Sequence, residues 1–445
     1  MNFHTDKQTL DDLNILAKPG SDSIFSLFNN TCTRGGAEIL EQYFLYPLTN
    51  KEQINNRSQT MQFFSTGRLS FPFKTEDLDS AEIYLSMTDQ RTMLSSRENN
   101  LAQKFSQLLA ADGDYKLIVN GINAIISILQ DLNNFINRIR PTAQVTPYHT
   151  TLEKIAELLN YPELKILLEV KQTDKPPYAR MIAYDDLFRS RFRRQIKQIL
   201  TDIYQLDVFM SIAIVALKHN FVFAEAIDKS EHILHLSDVF HPLVKNPVTN
   251  SIQLGTDKNV VFLTGANMAG KSTLMKSIGI ALYLAHLGFP VAAAQMKFSV
   301  RDGIYTTINL PDDLGAGNSH FYAEVLRVKK IAKELASSKK LFVIFDELFR
   351  GTNVKDAYEG TIAITKAFAE KRSSMFLIST HIVEAGEILK TLCKNIKFVY
   401  LPTRMNNNAP VYTYKLESGI TADRHGMVII NNERILEIIR SRNNK

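Results

Sequence analysis

The segment LTGANMAGKST, at residues 263–273, predicts the fold of the C-terminal half of this chain. It contains the pattern G-x-x-x-x-G-K-[ST], which begins at Gly265. An apolar run, VVFL, ends at residue 263, and a helix-compatible stretch follows at residues 274–287. A strand, a glycine-containing loop and a helix in this order are typical of a phosphate-binding loop, because backbone N–H groups and the positive end of the helix converge on phosphate oxygens. The pattern arises by chance in about 1–2% of chains this long, so a glycine turn without a ligand is the weaker interpretation.

Each residue type in this loop suits phosphate binding for a chemical reason. Gly265 and Gly270 allow a backbone geometry and a close approach that a Cβ atom would obstruct. Lys271 can reach the β- and γ-phosphates, and the Ser272 hydroxyl can bind Mg²⁺. The predicted nucleotide-binding residues of the loop are Gly265, Ala266, Asn267, Met268, Ala269, Gly270, Lys271, Ser272 and Thr273.

The composition is that of an ordinary globular protein. The 445 residues are 45% apolar and 22% charged, and the net charge is +6. This mild basic excess is compatible with nucleic acid or an acidic surface as partner, but does not require either. Cys32 and Cys393 lack metal-ligand spacing, which indicates free thiols in a reducing compartment. The N-terminus shows no secretion signal, and residues 278–294 are too short and interrupted to span a bilayer, so we expect a cytoplasmic protein without a membrane partner.

The N-terminal half predicts long helices. Apolar residues alternate at spacings of four and three, the pattern of helices that pack along a narrow seam. If Tyr184 to Leu217 is one helix, it is about 50 Å long, which suggests a lever-like arm. A long helix inside a compact bundle is the alternative. The seam positions are Ile125, Leu129, Leu132, Ile136 and Ile139, then Phe192, Ile196, Ile199, Ile203, Leu206, Met210, Ala213 and Leu217.

A basic cluster lies near the start of that second stretch. Its members are Arg189, Arg191, Arg193, Arg194 and Lys197. The cluster could contact the phosphate backbone of a nucleic acid, or it could be a solvated helix face. Phe192 lies on the seam, so packing explains the interleaved aromatic better than base stacking does.

Beyond about residue 228, short β-rich runs alternate with helical segments, which indicates an α/β domain with a largely parallel sheet. We therefore predict an all-helical domain over residues 1–232 and an α/β domain over residues 233–445. The apolar run at 341–345 ends in Asp346 and Glu347. Downstream of a phosphate loop, these carboxylates would hold Mg²⁺ and polarise the attacking water, respectively.

Two further candidates come from neighbouring segments. His381 ends the apolar run at 377–380, where a neutral imidazole could sense the γ-phosphate or orient water. Ser319 precedes a helical run at 325–336 and is a plausible N-cap, and a helix N-terminus with a serine is also an anion site. Taken alone, the serine is a weak signal.

The order of these motifs resembles the ATPase domain of the MutS family of DNA mismatch repair proteins, which are ABC-type ATPases. The loop reads T-G-x-N-M-x-G-K-S-T at 264–273, and D-D-L-x-x-G-x-S-x-F-x-x-E follows at 312–324. The third and fourth motifs are D-E-x-x-R-G-T at 346–352 and S-T-H at 379–381. The resemblance implies an α/β P-loop (ABC-type) ATPase domain preceded by an all-α core and lever domain.

The resemblance also implies a Mg²⁺-dependent ATPase that works as a homodimer. In this family two ATPase domains pair, and the serine of one chain, here Ser319, approaches the nucleotide of the other; the Asp356 region would line that interface. The aromatic that stacks on adenine is replaced around Pro247 and Val248, and Tyr414 is the candidate substitute.

Departures from the family pattern bear on the partner. From this resemblance we expect the chain to begin at the core domain, without the mismatch reader, and to end without a nuclease-like domain. Between Leu168 and Tyr184 there is no room for the usual DNA-clamping insertion. We expect DNA as the partner, in mismatch repair or a related process. The alternative is a nucleotide-switched interaction protein whose arms engage a protein; a transporter ATPase subunit fits poorly, since such subunits lack an upstream helical domain of this size.

Overall fold

The computed structural model describes residues 2–16, 22–67, 69–89, 93–94, 112–170, 177–309, 320–406, 409–421 and 435–440. They form two compact units. The α/β unit comprises Met1–Phe28, Tyr43–Ser58 and Val215–Lys445, and the helical unit comprises Asn29–Gln42 and Gln59–Ile214. Each unit consists of two or three separate segments of the chain. The predicted boundary between residues 232 and 233 divides the chain once, and it stays a prediction.

The helices follow one another in chain order. They are α1 (Lys7–Asp12), α2 (Ile24–Phe28), α3 (Arg34–Leu45), α4 (Lys51–Gly67), α5 (Thr75–Ser86), α6 (Asp112–Ala143), α7 (His149–Leu159), α8 (Pro162–Lys165), α9 (Tyr178–Asp186), α10 (Arg193–His219), α11 (Lys271–Leu287), α12 (His320–Ala336), α13 (Val354–Ala369), α14 (Val383–Leu392) and α15 (Ile435–Arg440). A 3₁₀ turn spans Ile166–Glu169, and a π-helical turn spans Leu187–Arg191.

In the described part of the chain, the strands lie between residues 222 and 418. They are β1 (Val222–Phe223), β2 (Glu225–Ile227), β3 (Leu234–Val239), β4 (Asn250–Leu254), β5 (Val260–Gly265), β6 (Pro290–Val291), β7 (Gln295–Ser299), β8 (Gly303–Thr307), β9 (Leu341–Phe345), β10 (Met375–Ser379), β11 (Ile396–Leu401), β12 (Thr403–Asn406), β13 (Ala409–Tyr412) and β14 (Glu417–Ser418). The helical region and the mixed α/β region predicted from the sequence are therefore both confirmed. The first described strand begins at Val222, before the start of the predicted α/β domain at residue 233.

The main sheet has the order β14-β11-β5-β10-β9-β8. Its five long strands pair in parallel, and only β14 runs antiparallel, against β11. Every residue of β5, β8, β9 and β10 is buried. This burial on both faces explains why β5, β9 and β10 are largely apolar runs. A second sheet has the order β2-β7-β3-β4.

Aromatic side chains join the main sheet to α13. The rings of Phe345 and Phe368 stack at 5.5 Å, and those of Phe368 and Phe376 at 4.8 Å. All three side chains are buried. This packing fixes the strands whose carboxyl ends carry Asp346 and His381.

In the helical unit, α6 packs along α5 with its apolar seam inward. All five predicted seam residues of α6, from Ile125 to Ile139, are buried. A Cβ atom on Gly121 would lie 2.1 Å from Cβ of Tyr84, so glycine permits the close approach of the two helices. On α10 the seam residues from Ile196 to Ala213 are buried as well, but Leu217 is 47% exposed.

The expectation of one helix from Tyr184 to Leu217 is wrong. The Phe192 N–H donates to the Leu187 carbonyl at 2.8 Å, five residues back, which widens the turn, and the backbone of Phe192 leaves the helical region. The continuous helix is α10, with 27 residues, about 40 Å long. Among the described residues, α10 is the one helix long and apolar enough to cross a membrane, and 78% of its apolar window is buried inside the folded protein, as in a core helix.

Candidate functional site

The phosphate-type loop joins the end of β5 to the start of α11. Gly265 and Gly270 have φ values of +151° and +96°, and Met268 has +67°. A Cβ atom on Gly265 would lie 3.1 Å from the Leu401 carbonyl oxygen, and one on Gly270 would lie 2.9 Å from the Tyr414 ring. Both glycines are therefore required by conformation and by space.

Lys271 is turned inward and is only 5% exposed. Its Nζ donates to the carbonyl oxygens of Gly265 at 3.0 Å and Ala266 at 3.1 Å. Burial lowers the pKa of this amine, although the carboxylates of Glu347 and Asp346 act in the opposite direction. A buried cation satisfied by two neutral carbonyls can exchange them for anionic oxygens at an electrostatic gain.

Asp346 and Glu347 lie at the end of β9, beside Ser379 at the end of β10. The Ser379 hydroxyl donates to Oδ1 of Asp346, and it accepts from the Glu347 N–H at 3.0 Å. Glu347 has a φ of +56°, a left-handed conformation that non-glycine residues rarely adopt. Ser379 thus holds both carboxylate residues in place, and backbone strain of this kind is often found at functional sites.

His381 contacts the carboxylate of Glu347 directly. The distance from His381 Nε2 to Glu347 Oε1 is 2.5 Å, and Arg350 lies 3.5 Å from the other oxygen. The hydrogen bond with His381 is the main cause that lowers the pKa of Glu347; burial opposes it, and the charges of His381, Lys271 and Arg350 add to it. Glu347 is therefore an ionised, oriented carboxylate at neutral pH, as a general base requires.

Side chains that carry oxygen atoms, which can bind a metal ion, line much of a cavity of about 210 Å³ next to the loop. Mg²⁺ prefers such hard oxygen ligands and usually combines one or two protein ligands with phosphate oxygens and water. Among the described residues, no group of three or more His, Cys, Asp or Glu is arranged to hold a metal alone. Ser272 and Asp346 fit a magnesium ion that a nucleotide completes. The lining residues are Ser272, Thr307, Ile308, Asn309, Glu324, Asp346, Glu347 and Arg350.

A second cavity, of about 350 Å³, lies on the other side of Gly270. Tyr414 forms part of its wall and is 44% exposed. The Asn250 side chain fixes this segment, since its amide donates to the Tyr414 carbonyl at 2.9 Å and accepts from the Leu416 N–H at 2.7 Å. The remaining lining residues are Val239, His241, Val244, Lys245, Asn246, Pro247, Val248, Thr273, Leu274 and Ser277.

The structure brings most predicted site residues together. The loop, Asp346, Glu347 and His381 converge, and Tyr414 lies against Gly270. Ser319 lies outside the described residues, as do the other residues from 310 to 318. Sequence reasoning missed the cavity wall formed by residues 307–309, which carries no motif, and assigned no role to Arg350, although that residue was visible in D-E-x-x-R-G-T.

The basic cluster of the helical unit is less available than its sequence suggests. Arg189 is buried, and its Nε and one terminal nitrogen each lie 2.6 Å from an oxygen of the buried Asp185. Arg191 pairs with Glu163 at 2.5 Å, and Arg193 donates to the Leu85 carbonyl. Arg194 and Lys197 are exposed. All five residues border an open depression of about 810 Å³.

Comparison with known proteins gives two family matches. Residues 8–213 match the model of MutS domain III, and residues 261–444 match that of MutS domain V. The DNA mismatch repair protein MutS of Thermotoga sp. (strain RQ2) is 24% identical over 508 aligned positions, which cover 95% of this chain and 63% of that protein. MutS of Fusobacterium nucleatum subsp. nucleatum is 30% identical over 249 positions, 55% of this chain and 27% of that protein.

The chain thus spans about 63% of the length of the Thermotoga relative. The two matched domains correspond to the helical stretch and to the stretch that carries the loop and the carboxylates. They cover most of the sequence, in the order that the resemblance implies. The chain belongs to the MutS family.

Proposed function

We propose that this protein is a Mg²⁺-dependent ATPase that pairs through its ATPase domains and acts on DNA, in mismatch repair or a related process. The observation that carries the proposal is the contact of His381 with Glu347. Glu347 lines the cavity of about 210 Å³ and influences the charge of Lys271. A strand-end carboxylate that is ionised, oriented and adjacent to a phosphate-type loop supports hydrolysis of a phosphoanhydride. The protein would act in the cytoplasm.

The residues divide the chemical work between them. Lys271 and the loop N–H groups would bind the β- and γ-phosphates. Ser272 and Asp346 would hold Mg²⁺, which offsets the charge that develops on the phosphate oxygens. Glu347 would orient and polarise the attacking water, while His381 fixes the carboxylate and senses the γ-phosphate end of the cavity.

The cavity beside Tyr414 is our candidate for the adenine pocket. It adjoins Gly270 and Thr273 of the loop, so a base there would lie within the reach of a bound triphosphate. The Tyr414 ring would take the place of the aromatic that is absent at Pro247 and Val248.

Pairing of two copies would complete the site. Ser319 is the residue proposed to approach the partner's nucleotide, and Asp356 lies in the first turn of α13, near the proposed interface. Three apolar side chains of the α/β unit are exposed and could be covered on pairing: Met268 and Val354 are each 79% exposed, and Tyr322 is 50% exposed. Contacts from both chains to one nucleotide would favour the closed pair, and hydrolysis would release it.

The partner of the helical unit is proposed to be DNA. Arg194 and Lys197 are exposed cations beside the open depression, so they would contact phosphates. A protein partner is the second candidate. A salt-dependent DNA titration of the wild type and of Arg194→Glu/Lys197→Glu separates them, because DNA binding through these cations weakens with salt and with charge reversal. Flat curves at low salt would favour the protein partner.

The central experiment compares Lys271→Ala and Glu347→Gln with Lys371→Ala, an exposed lysine at the opposite edge of the sheet. Lys271→Ala should lose nucleotide binding. Glu347→Gln should bind ATP, hydrolyse it slowly and accumulate as a dimer. Lys371→Ala should behave as the wild type. Tight ATP binding by Lys271→Ala would refute the site, and a monomeric Glu347→Gln in ATP would refute the pairing.

A further inference from the structure

The N-terminal helix α1 carries two carboxylates that point at the wall of the phosphate-type cavity. Asp6 caps the helix, accepting from the Thr9 N–H at 3.0 Å, and Asp12 is its last residue. Asp12 is 2% exposed, and the Asp6 side chain is 14% exposed. Both lie in the α/β unit, although residues 8–28 fall in the range that matches MutS domain III.

Asp12 holds the backbone of two cavity-lining residues. Its Oδ2 accepts from the Ile308 N–H at 2.9 Å and from the Thr306 hydroxyl at 2.7 Å. Its Oδ1 accepts from the Asn309 N–H at 3.0 Å and from the Gln8 amide at 2.9 Å. One buried carboxylate thus receives four hydrogen bonds, two of them from the backbone that forms the cavity wall.

Asp6 anchors α12 to the same wall. It pairs with Arg327 and, at 2.6 Å, with Lys330. Arg327 in turn donates to the Thr306 carbonyl at 2.6 Å and to the Thr307 hydroxyl at 3.2 Å. Burial raises the pKa of Asp6, but the hydrogen bonds from Arg327 and Lys330 and the Arg327 charge outweigh it and lower the pKa overall. The carboxylate therefore stays charged at physiological pH.

The wall continues from there to the metal-binding carboxylate. The Asp346 N–H donates to the Thr307 carbonyl at 2.9 Å. Glu324 lies one turn before Arg327 on α12 and lines the cavity. Asp6 and Asp12 do not line the cavity themselves, yet each is bonded to a segment that does.

We propose that Asp6 and Asp12 form an N-terminal clamp that positions the cavity wall for ATP hydrolysis, with Asp12 as the principal positioning residue. The inference rests on the proposed ATPase function. The clamp bonds converge on residues 306–309 and on α12, the two segments that supply Thr307, Ile308, Asn309 and Glu324 to the cavity. It does not touch the loop or the Tyr414 pocket, so it should affect turnover more than nucleotide affinity.

The test compares Asp12→Asn with Asp11→Asn, a matched change at the exposed neighbouring carboxylate. An amide has one acceptor oxygen and places an NH₂ group against N–H donors, so two of the four bonds are lost. We expect Asp12→Asn to lower kcat about tenfold and to speed hydrogen exchange of the Ile308 and Asn309 amides about tenfold. The Kd and stoichiometry for a fluorescent ATP analogue should stay within about twofold, and Asp11→Asn should change none of these.

Three results would overturn the clamp. One is an Asp12→Asn protein with wild-type kcat and exchange. Another is a parallel loss of binding stoichiometry and kcat, which marks a merely structural role. The third is an equal effect of Asp11→Asn. If the wild type hydrolyses no ATP, the proposed function fails instead. The clamp is then tested by hydrogen exchange of the Ile308 and Asn309 amides alone, which should be about tenfold faster in Asp12→Asn than in the wild type.

Discussion

The hydrogen bond between Glu347 and His381 offers a demanding test of the site. The atoms Oε1 and Nε2 lie 2.5 Å apart, and the bond is the main cause that lowers the pKa of Glu347. His381→Ala removes it and leaves a half-buried carboxylate without its orienting partner. We expect slower ATP hydrolysis with little change in ATP affinity, because Lys271 and the loop are untouched.

The magnitude follows from the geometry. A hydrogen bond to a charged group contributes about 1.5–3 kcal/mol. The side chains of His381 and Glu347 are 36% and 21% exposed, so solvent screening favours the lower end, about 1.5 kcal/mol. That corresponds to about a tenfold loss in kcat. Glu347→Gln removes the base itself and should cost about 10²- to 10⁴-fold.

A double-mutant cycle decides whether His381 acts through Glu347. If it does, the variant that carries both His381→Ala and Glu347→Gln should be no slower than Glu347→Gln alone. The assay is phosphate release at saturating ATP, with binding of a fluorescent ATP analogue as the control for folding. Independent, multiplicative losses would refute the coupling and would return His381 to a direct contact with the nucleotide.

The pH dependence provides a second check on the same pair. The folded-state pKa of Glu347 lies below its ordinary value of 4.5, so the ionised form persists above that pH. The stability that this shift contributes is present above 4.5 and is lost as the pH falls through the lower folded value. In His381→Ala the main cause of the lowering is gone. The acid limb of kcat should therefore move to higher pH, and an unmoved limb would contradict our assignment.

Three other predictions concern separate parts of the molecule. Tyr414→Ala should weaken ATP-analogue binding about tenfold while Tyr414→Phe keeps it, measured by fluorescence titration, since the ring face carries the contact. Asp185→Asn should cost about 3 kcal/mol in chemical unfolding because its arginine partner stays buried without a counter-charge, whereas Asp186→Asn, at an exposed neighbour, should cost little. Arg194→Glu should reduce the salt dependence of DNA binding, and an unchanged slope would remove this residue from the interface.

The parts of the site that the sequence predicted are those with short-range chemical signatures. The loop, Asp346–Glu347 and His381 each follow an apolar strand, and parallel strands bring their carboxyl ends to one edge of a sheet. The cavity wall at residues 307–309 could not be found this way. Its residues are chemically ordinary, and they become functional candidates because α1, almost 300 residues away along the chain, bonds to their backbone.

In the helical half, too, the sequence predicted part of the structure and missed another part. The apolar spacing correctly predicted the buried seam of α6 and that of α10 from Ile196 to Ala213, but Leu217, which it also placed on the seam, is exposed. It could not predict the π-helical turn at 187–191, where the buried Asp185–Arg189 pair and the bond from Phe192 to Leu187 interrupt the helix. Burial of Arg189 also removes this residue from the cations that could contact a nucleic acid, because it is already paired with Asp185. The sequence alone does not show which cations have such a partner.

The backbone around Glu347 connects these observations. Glu347 and Phe349 both have left-handed torsions, at +56° and +64°, and such residues cost about 1–3 kcal/mol each unless the surroundings hold them. Phe349 is held between two helices: its ring lies 5.7 Å from that of Phe321 on α12, and a Cβ atom on Gly360 of α13 would come within 3.0 Å of it. The proposed general base, Glu347, therefore depends on the position of α12, the helix that Asp6 anchors through Arg327. Any movement of α12 would change the cavity wall and the orientation of Glu347 together, which makes this helix the natural route by which pairing of two copies could control hydrolysis.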